Sequence, residues 1–459
     1  MRKFNRKQLG LYGFAGFGPN MLNLIIGTYL CDALMTQGFK ADIENWTYLN
    51  KTLVVAVVWS VMIAVAKIID GLADIPLASM TDTLKTRWGK RRPAIVIGAI
   101  PMLAAFLLFL LPISGRENSL ANTIWFGAML AIFYTFYTLT MLAYYATFSE
   151  VTVSAQDRVV LSNWKAGYDI VYFVLGYALI PMLIGNINIR MIALMFVPCV
   201  LTMLIPLFML KERSTLPADV ARYKAEHPED EEANAEEAVG FFDSLWYTFK
   251  NRDFLIWMVV YAALQFGLQM YLTGQNVFFS GMNFEGWRIT VINASCFAPV
   301  PLTLILYNAI VRRRGFRTGY QYAVGTFALA MVIATAIILM GAFSDSSRFI
   351  LVIATCLLTS LGIGAFFSVS YIIPAQIAAE EVKRTGKSHP SMYFAIQGLA
   401  EAGVTAISTG LVWVNLKNAG KAHFMTLIVA AACVASFLLA FLLPASLNKV
   451  GKQGEEQGG

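Results

Sequence analysis

Lys67, Asp70 and Asp74 stand inside an apolar run that begins near Leu53, and a turn carrying Lys85, Arg87, Lys90, Arg91 and Arg92 follows them. Asp70 and Asp74 are four residues apart, so on a helix they share one face, with Lys67 on the same stripe. An ionisable side chain in a membrane-spanning segment costs about 2.5–3.5 kcal/mol on insertion scales, so it faces a protein interior or a watery cavity and has work there. Two such carboxylates could bind a cation. A proton needs only one buried carboxylate, whereas sodium wants several hard oxygens, and the residues rank the two ions equally. The bland alternative is that both acids simply balance Lys67 and the basic turn. Lys67 itself is either a tethered counter-charge that leaves when a cation binds, or a residue snorkelling at a cavity edge. Glu401 is a further acid in a late apolar run, suited to carry a second proton or to partner Lys67. Lys165 and Asp169, again four apart, could line a cavity or form an ordinary exposed pair. Gln265, Gln269 and Gln397 suit a hydroxyl-rich ligand and equally suit hydrogen bonds between helices.

The elements that must hold these residues are membrane spans. The chain has 459 residues, 58% hydrophobic and only 14% charged, too apolar for a protein covered by water. A spanning helix needs about 20 apolar residues. Twelve stretches qualify: about 11–36, 48–80, 94–113, 121–148, 164–186, 189–210, 254–281, 288–311, 321–343, 347–378, 390–416 and 422–445. The basic N-terminus runs into the first span with no small-residue cleavage site, so no removable signal peptide is expected. Cys31, Cys199, Cys296, Cys356 and Cys433 are scattered without metal or disulfide spacing. The net charge of +7 lies in short turns rather than in a nucleic-acid patch. Lys and Arg concentrate in one set of turns, while the opposite loops hold few, Lys417 and Lys421 among them. The positive-inside rule then puts both termini in the cytoplasm.

Residues 211–253 are the one long polar segment between spans, and its acidic run from Glu229 to Glu237 reads as a solvated linker. It divides the spans six and six. Arg87-Trp-Gly-Lys-Arg91 after the second span is echoed by Arg313-Arg-Gly-Phe-Arg317 after the eighth, about half the chain later. The expectation is an all-α integral membrane fold of twelve transmembrane helices in two pseudo-symmetric six-helix bundles, residues 1–210 and 254–445, with the linker and a tail, 446–459, in the cytoplasm. A binding site is expected between the bundles near the midplane. The basic turn reads as structural and gating, with Arg87 and Arg91 able to lock against acids and helix C-termini on the inner face.

Asp70-x-x-x-Asp74, Ala78, Asp82 and then Arg87-Trp88-Gly89-Lys90-Arg91-Arg92-Pro93 resemble the loop signature of the glycoside-pentoside-hexuronide:cation symporters, the melibiose permease branch of the major facilitator superfamily. Tyr12 to Gly18, Glu150-Val-Thr152 with Arg158, and Thr385-Gly386 are similar to further pieces of that family, and the similarity covers nearly the whole chain. The resemblance implies a cation site at Asp70 and Asp74 with Thr138 as an added oxygen, which would be the metal site if the ion is Na⁺. It implies sugar-binding positions at Asn20, Tyr144, Tyr145, Phe367 and Gln376, and near Lys165. Several of these depart from the family. Asn20 and Met141 replace the two acids that hold galactoside, Ala73 replaces the Asn of the sodium site, Gln376 replaces an Asp, and Glu401 replaces a Lys.

The function expected is therefore cation-coupled symport of a sugar or glycoside by alternating access. Loss of the sugar-binding acids leaves a transporter of lysolipid or other amphiphilic or anionic small molecules as the alternative. No Gly-rich phosphate loop or nucleophile motif is present, and His227, His389 and His423 lie far apart, so an enzyme is not expected. The partners expected are a small-molecule substrate and the bilayer, with no nucleic acid and no cofactor beyond the coupling ion, H⁺ or Na⁺. The protein is expected to be a monomer in the cell (inner) membrane.

Overall fold

The computed structural model describes residues 4–39, 42–151, 155–226, 241–284, 286–340, 343–385 and 390–443. Every regular element among them is a helix, and twelve helices are long and apolar enough to cross a membrane. In chain order these are α1 (Arg6–Ala33), α2 (Ala56–Thr83), α3 (Arg91–Phe109), α4 (Leu120–Val151), α5 (Ala155–Val174 continued by Leu175–Leu179 and Ile180–Ile184) and α6 (Ile189–Met209). After the linker come α7 (Arg252–Gly281), α8 (Trp287–Val311), α9 (Phe316–Met340), α10 (Asp345–Thr385), α11 (Pro390–Thr405 continued by Ala406–Trp413 and Val414–Asn418) and α12 (Ala422–Leu442). Successive spans alternate in direction, so α1 begins and α12 ends at one end, the terminal end; the other is the distal end.

Several boundaries differ from the sequence expectation, among them the start of α5 at Ala155 rather than 164 and the end of α10 at Thr385 rather than 378, and for two the physical reason is plain. α1 begins at Arg6 because Asn5 and Gln8 form a capping box, each side chain bonding the other's backbone N–H. α2 begins at Ala56, about two turns later than 48, because the preceding segment folds back on the end of α1. There the Tyr48 and Leu53 N–H groups donate to the carbonyls of Ala33 and Leu34, and the Val55 N–H donates to Thr123 Oγ1.

Lipid tails are as apolar as the helices, so spans associate where small residues allow close packing rather than by expelling water. The junction between the first six spans and the last six follows that rule. Between α2 and α11, a methyl placed on Gly71 would stand 2.4 Å from Ala402 Cβ, and one on Gly410 2.7 Å from the Ala64 nitrogen. Between α5 and α8, the Tyr177 and Phe297 rings stack 4.2 Å apart. Pro76 inside α2 cannot donate a backbone hydrogen bond, which frees the Leu72 carbonyl two residues before Asp74.

The basic turn is built around a carboxylate. Glu212, just past α6, accepts from the backbone N–H of Arg91 at 3.0 Å and of Arg92 at 2.8 Å, and so caps the N-terminus of α3 with negative charge. Gly89 takes φ +87°, and a side chain there would meet Glu212 Cβ at 2.3 Å. The glycine of this turn is thus set by both backbone and space.

Candidate functional site

Two adjacent chambers lie between the first six spans and the last six. The first, with a cavity volume of about 210 Å³, is lined among others by Asn20, Asp32, Lys67, Tyr134, Gln269 and Trp413. The second, about 550 Å³, is lined by Asp74, Tyr137, Tyr145, Tyr261, Gln397 and Glu401. Phe173, Gln269 and Leu272 border both. Three spans change helical pitch beside the first chamber. The π-helical stretches Ile25–Leu30 in α1, Leu175–Leu179 in α5 and Ala406–Trp413 in α11 contribute Thr28, Tyr177 and Trp413 to its wall. Such widened turns gather at functional sites. A third hollow of about 650 Å³ around Phe39, Val277, Arg348 and His423 sits at the distal end and holds none of these acids.

Asp70 and Thr138 come together as the resemblance implied: the Thr138 hydroxyl donates to Asp70 Oδ1 at 2.7 Å. Lys67 stands 4.0 Å from the other Asp70 oxygen and 3.6 Å above the Tyr134 ring. The ammonium therefore faces the Asp70 oxygen that Thr138 leaves free. Asp74, one turn on, opens into the second chamber and has no hydrogen bond or ion pair among the described residues. Glu401 accepts from the Tyr261 hydroxyl at 2.7 Å and from Gln269 at 3.3 Å, and Gln265 in turn donates to Tyr261 at 2.6 Å. It lies within electrostatic reach of Lys67, but neutral donors hold it. Among the described residues no group of three His, Cys, Asp or Glu is arranged to bind a metal ion.

A second linked set reaches the same space through Asn20 in the first chamber and Tyr137 and Tyr145 in the second. Tyr137 donates to Asn20 Oδ1 at 2.9 Å, Asn20 donates to Asp169 at 3.3 Å, and Lys165 pairs with Asp169 while standing 5.2 Å above the Tyr145 ring. Lys165 and Asp169 are thus part of an interior network, not an exposed pair. Tyr144 departs from expectation. It is fully buried against Tyr12 and Phe148, its hydroxyl donating to the Tyr12 carbonyl at 2.7 Å, so it supports α1 rather than lining a chamber. Gln397 borders the second chamber, yet both ends of its amide are engaged, by Trp257 Nε1 at 2.9 Å and the Ser370 carbonyl at 2.8 Å. The side chains of Phe367, Gln376, Asp82 and Arg158, and all of Gly386 and His389, lie outside the described residues. Of the two gating candidates, Arg87 is exposed, while Arg91 is buried and reaches Thr81 at 3.4 Å within the first six spans.

One pair escaped the sequence reading. Lys417, taken there for a loop residue, is 0% exposed and pairs with Asp32 across the two halves at 3.2 Å. Asp32 was legible as an acid inside the first apolar run; its partner was not, because nothing in the order of residues brings the end of α11 to the end of α1. Tyr137, which joins Asn20 to the cavity wall, was likewise one of many aromatics until the geometry singled it out.

Residues 11–447 match the family described as MFS/sugar transport protein. The chain belongs to that family. As a member of the MFS/sugar transport family it is a multi-pass membrane transporter, not an enzyme, and its fold is that of the major facilitators. A lactose permease of Lactobacillus helveticus is 27% identical over 107 residues, 23% of this chain and only 17% of that protein's length. Among solved structures, a POT family transporter in complex with 5-aminolevulinic acid superposes with a TM-score of 0.64 at 12% identity, covering 95% of this chain and 96% of that one. The nucleoside transporter NupG does so with a TM-score of 0.58 at 15% identity, covering 95% and 98%. At such identities the likeness establishes the shared fold.

Proposed function

We propose that this transporter is a cation-coupled symporter of a sugar or glycoside that works by alternating access, in the glycoside-pentoside-hexuronide branch of the superfamily. The observation that carries the reading is that the Lys67–Asp70–Thr138 cluster reaches, through Lys67, the first chamber, which is walled by hydroxyl, amide and aromatic groups. A sugar presents hydroxyls at its rim and C–H groups on its faces. The Tyr137–Asn20–Asp169–Lys165 chain offers donors and acceptors for the rim, and Tyr145 an aromatic face for stacking. H⁺ and Na⁺ are both compatible as the coupling ion. A cation at Asp70 takes the place of Lys67 and draws α2 and α4 together through Thr138, beside the walls that grip the cargo.

Such coupling is reciprocal: if the ion tightens substrate binding tenfold, about 1.4 kcal/mol, substrate tightens ion binding equally. Purified protein screened by thermal shift against sugars, glycosides, uronates and lysolipids, with and without Na⁺, identifies the cargo class. Uptake into proteoliposomes under imposed H⁺ or Na⁺ gradients then tests the coupling. Asp70→Asn is expected to abolish accumulation while keeping downhill exchange, and Thr138→Val to cut accumulation at least tenfold. Accumulation by both Asp70→Asn and Asp74→Asn at the parent level refutes the coupling, and a response to lysolipids alone refutes the sugar.

A further inference from the structure

Asp32 stands at the distal end of α1 and Lys417 at the distal end of α11, so their pair ties the first six spans to the last six. The ammonium lies 3.2 Å from Asp32 Oδ1 and also donates to the Asp32 carbonyl at 2.8 Å, while Trp413 Nε1 donates to both carboxylate oxygens at 3.3 and 3.4 Å. The Phe39 ring covers the ammonium at 4.7 Å, and a side chain on neighbouring Gly38 would strike Val277 at 2.5 Å. The pair is therefore buried from the outside. A buried ion pair resists separation strongly, because withdrawing one partner strands the other charge in a poor solvent.

The same carboxylate faces the interior. Asp32 and Trp413 line the first chamber together with Lys67, and the Cys31 thiol lies within electrostatic reach of Asp32, Lys67 and Lys417 alike. If the halves part at the distal end, Lys417 and Trp413 leave with α11 and Asp32 stays with α1. Lys67, on α2 of the same half, is then the cation lining that chamber, and at 4.0 Å its hold on Asp70 is loose.

We propose that Asp32 and Lys417 latch the distal end, and that Lys67 passes from Asp70 to Asp32 when the latch opens, which leaves Asp70 free to load the coupling cation. The latch stands whatever the cargo and ion are; the handover rests on the coupling proposed above. Both are read without transport. In a variant keeping Cys31 alone (Cys199→Ser, Cys296→Ala, Cys356→Ala, Cys433→Ala), a membrane-impermeant thiol reagent is applied to vesicles of each orientation. The ratio of labelling from the distal to the terminal side cancels changes in the thiol's own reactivity. Asp32→Asn/Lys417→Met is expected to raise that ratio at least tenfold, and Lys417→Met alone, which can be read if the double variant does not fold, to raise it too. Asp32→Glu/Lys417→Arg, which keeps a pair, should stay near the parent. An unchanged ratio in the neutralised variants overturns the latch. Lys67→Met should lower the ratio at least threefold in the parent and leave it unchanged in Asp32→Asn/Lys417→Met; an equal effect in both backgrounds overturns the handover.

Discussion

Gly410→Ala adds one methyl where α11 crosses α2, and its consequence can be worked through. The methyl carbon would lie 2.7 Å from the Ala64 nitrogen and 3.0 Å from its Cα and Cβ. Carbon atoms settle about 3.5–4.0 Å apart, so the helices must separate by about 0.5–1 Å. Overpacking of this kind costs about 1–3 kcal/mol. Alanine also gains about 1 kcal/mol over glycine in helix propensity, but it does so in every conformer and cancels. The clash exists only while the distal end is shut, because Ala64 and Gly410 belong to different halves. At about 1.4 kcal/mol per factor of ten, the odds of the distally open conformer should rise about 5- to 150-fold. Spin labels at Glu117→Cys and Ser346→Cys, exposed distal positions on opposite halves, report the opening by pulsed dipolar spectroscopy in a background without native cysteines. Odds that move less than about twofold, with melting unchanged, would show that the seam absorbs the methyl and that close packing of Gly410 does not hold the end shut.

Three further outcomes are expected. Tyr261→Phe removes the 2.7 Å donor to Glu401; a hydrogen bond to a charged group contributes about 1.5–3 kcal/mol, so uptake should fall about tenfold or more if Glu401 takes part in transport, and parent-like uptake leaves Glu401 a structural residue. Glu212→Gln weakens the cap on α3 and should cost about 0.5–2 kcal/mol in denaturant melts. Gly89→Ala should cost more, from its φ of +87° and the 2.3 Å clash, and equal stability of Gly89→Ala and the parent refutes this account of the turn. Gln275 is 0% exposed with both amide atoms unpartnered among the described residues. Gln275→Met, which nearly conserves volume, should therefore raise stability by about 1–3 kcal/mol, and a lowered melting temperature would point to a partner for that amide.

The spans were legible because twenty apolar residues in a row admit few other fates, and Asp70, Asp74 and Glu401 were legible because charge in such a run stands out. The Lys67–Asp70 pairing followed from spacing on one helix. What joins distant spans was not. Tyr144 and Tyr145 are neighbours of one type, and only packing sends the first to the Tyr12 carbonyl and the second to the chamber wall. Lys417 looked like a loop cation because it closes an apolar run, where snorkelling to water is the ordinary outcome; a carboxylate on another span turned it inward. Glu212 read as part of a polar linker, and its place under the α3 N-terminus depends on where α6 ends.

The widened turns around the first chamber carry a consequence for how this wall tolerates change. A π turn holds one residue more than the α turn it replaces, and each residue of a helix advances about 100° around its axis. In α1 the stretch Ile25–Leu30 separates Asn20 from Asp32. Deleting a single residue there would let the turn relax to ordinary pitch with the residues beyond it still facing as before, whereas the same deletion in the α-helical part of α1 would swing Asp32 by about a quarter turn, off the chamber and away from Lys417. Length is thus sharply specified along the α-helical parts of these spans, while each widened turn is a place where one residue can be lost with Asp32 still meeting Lys417.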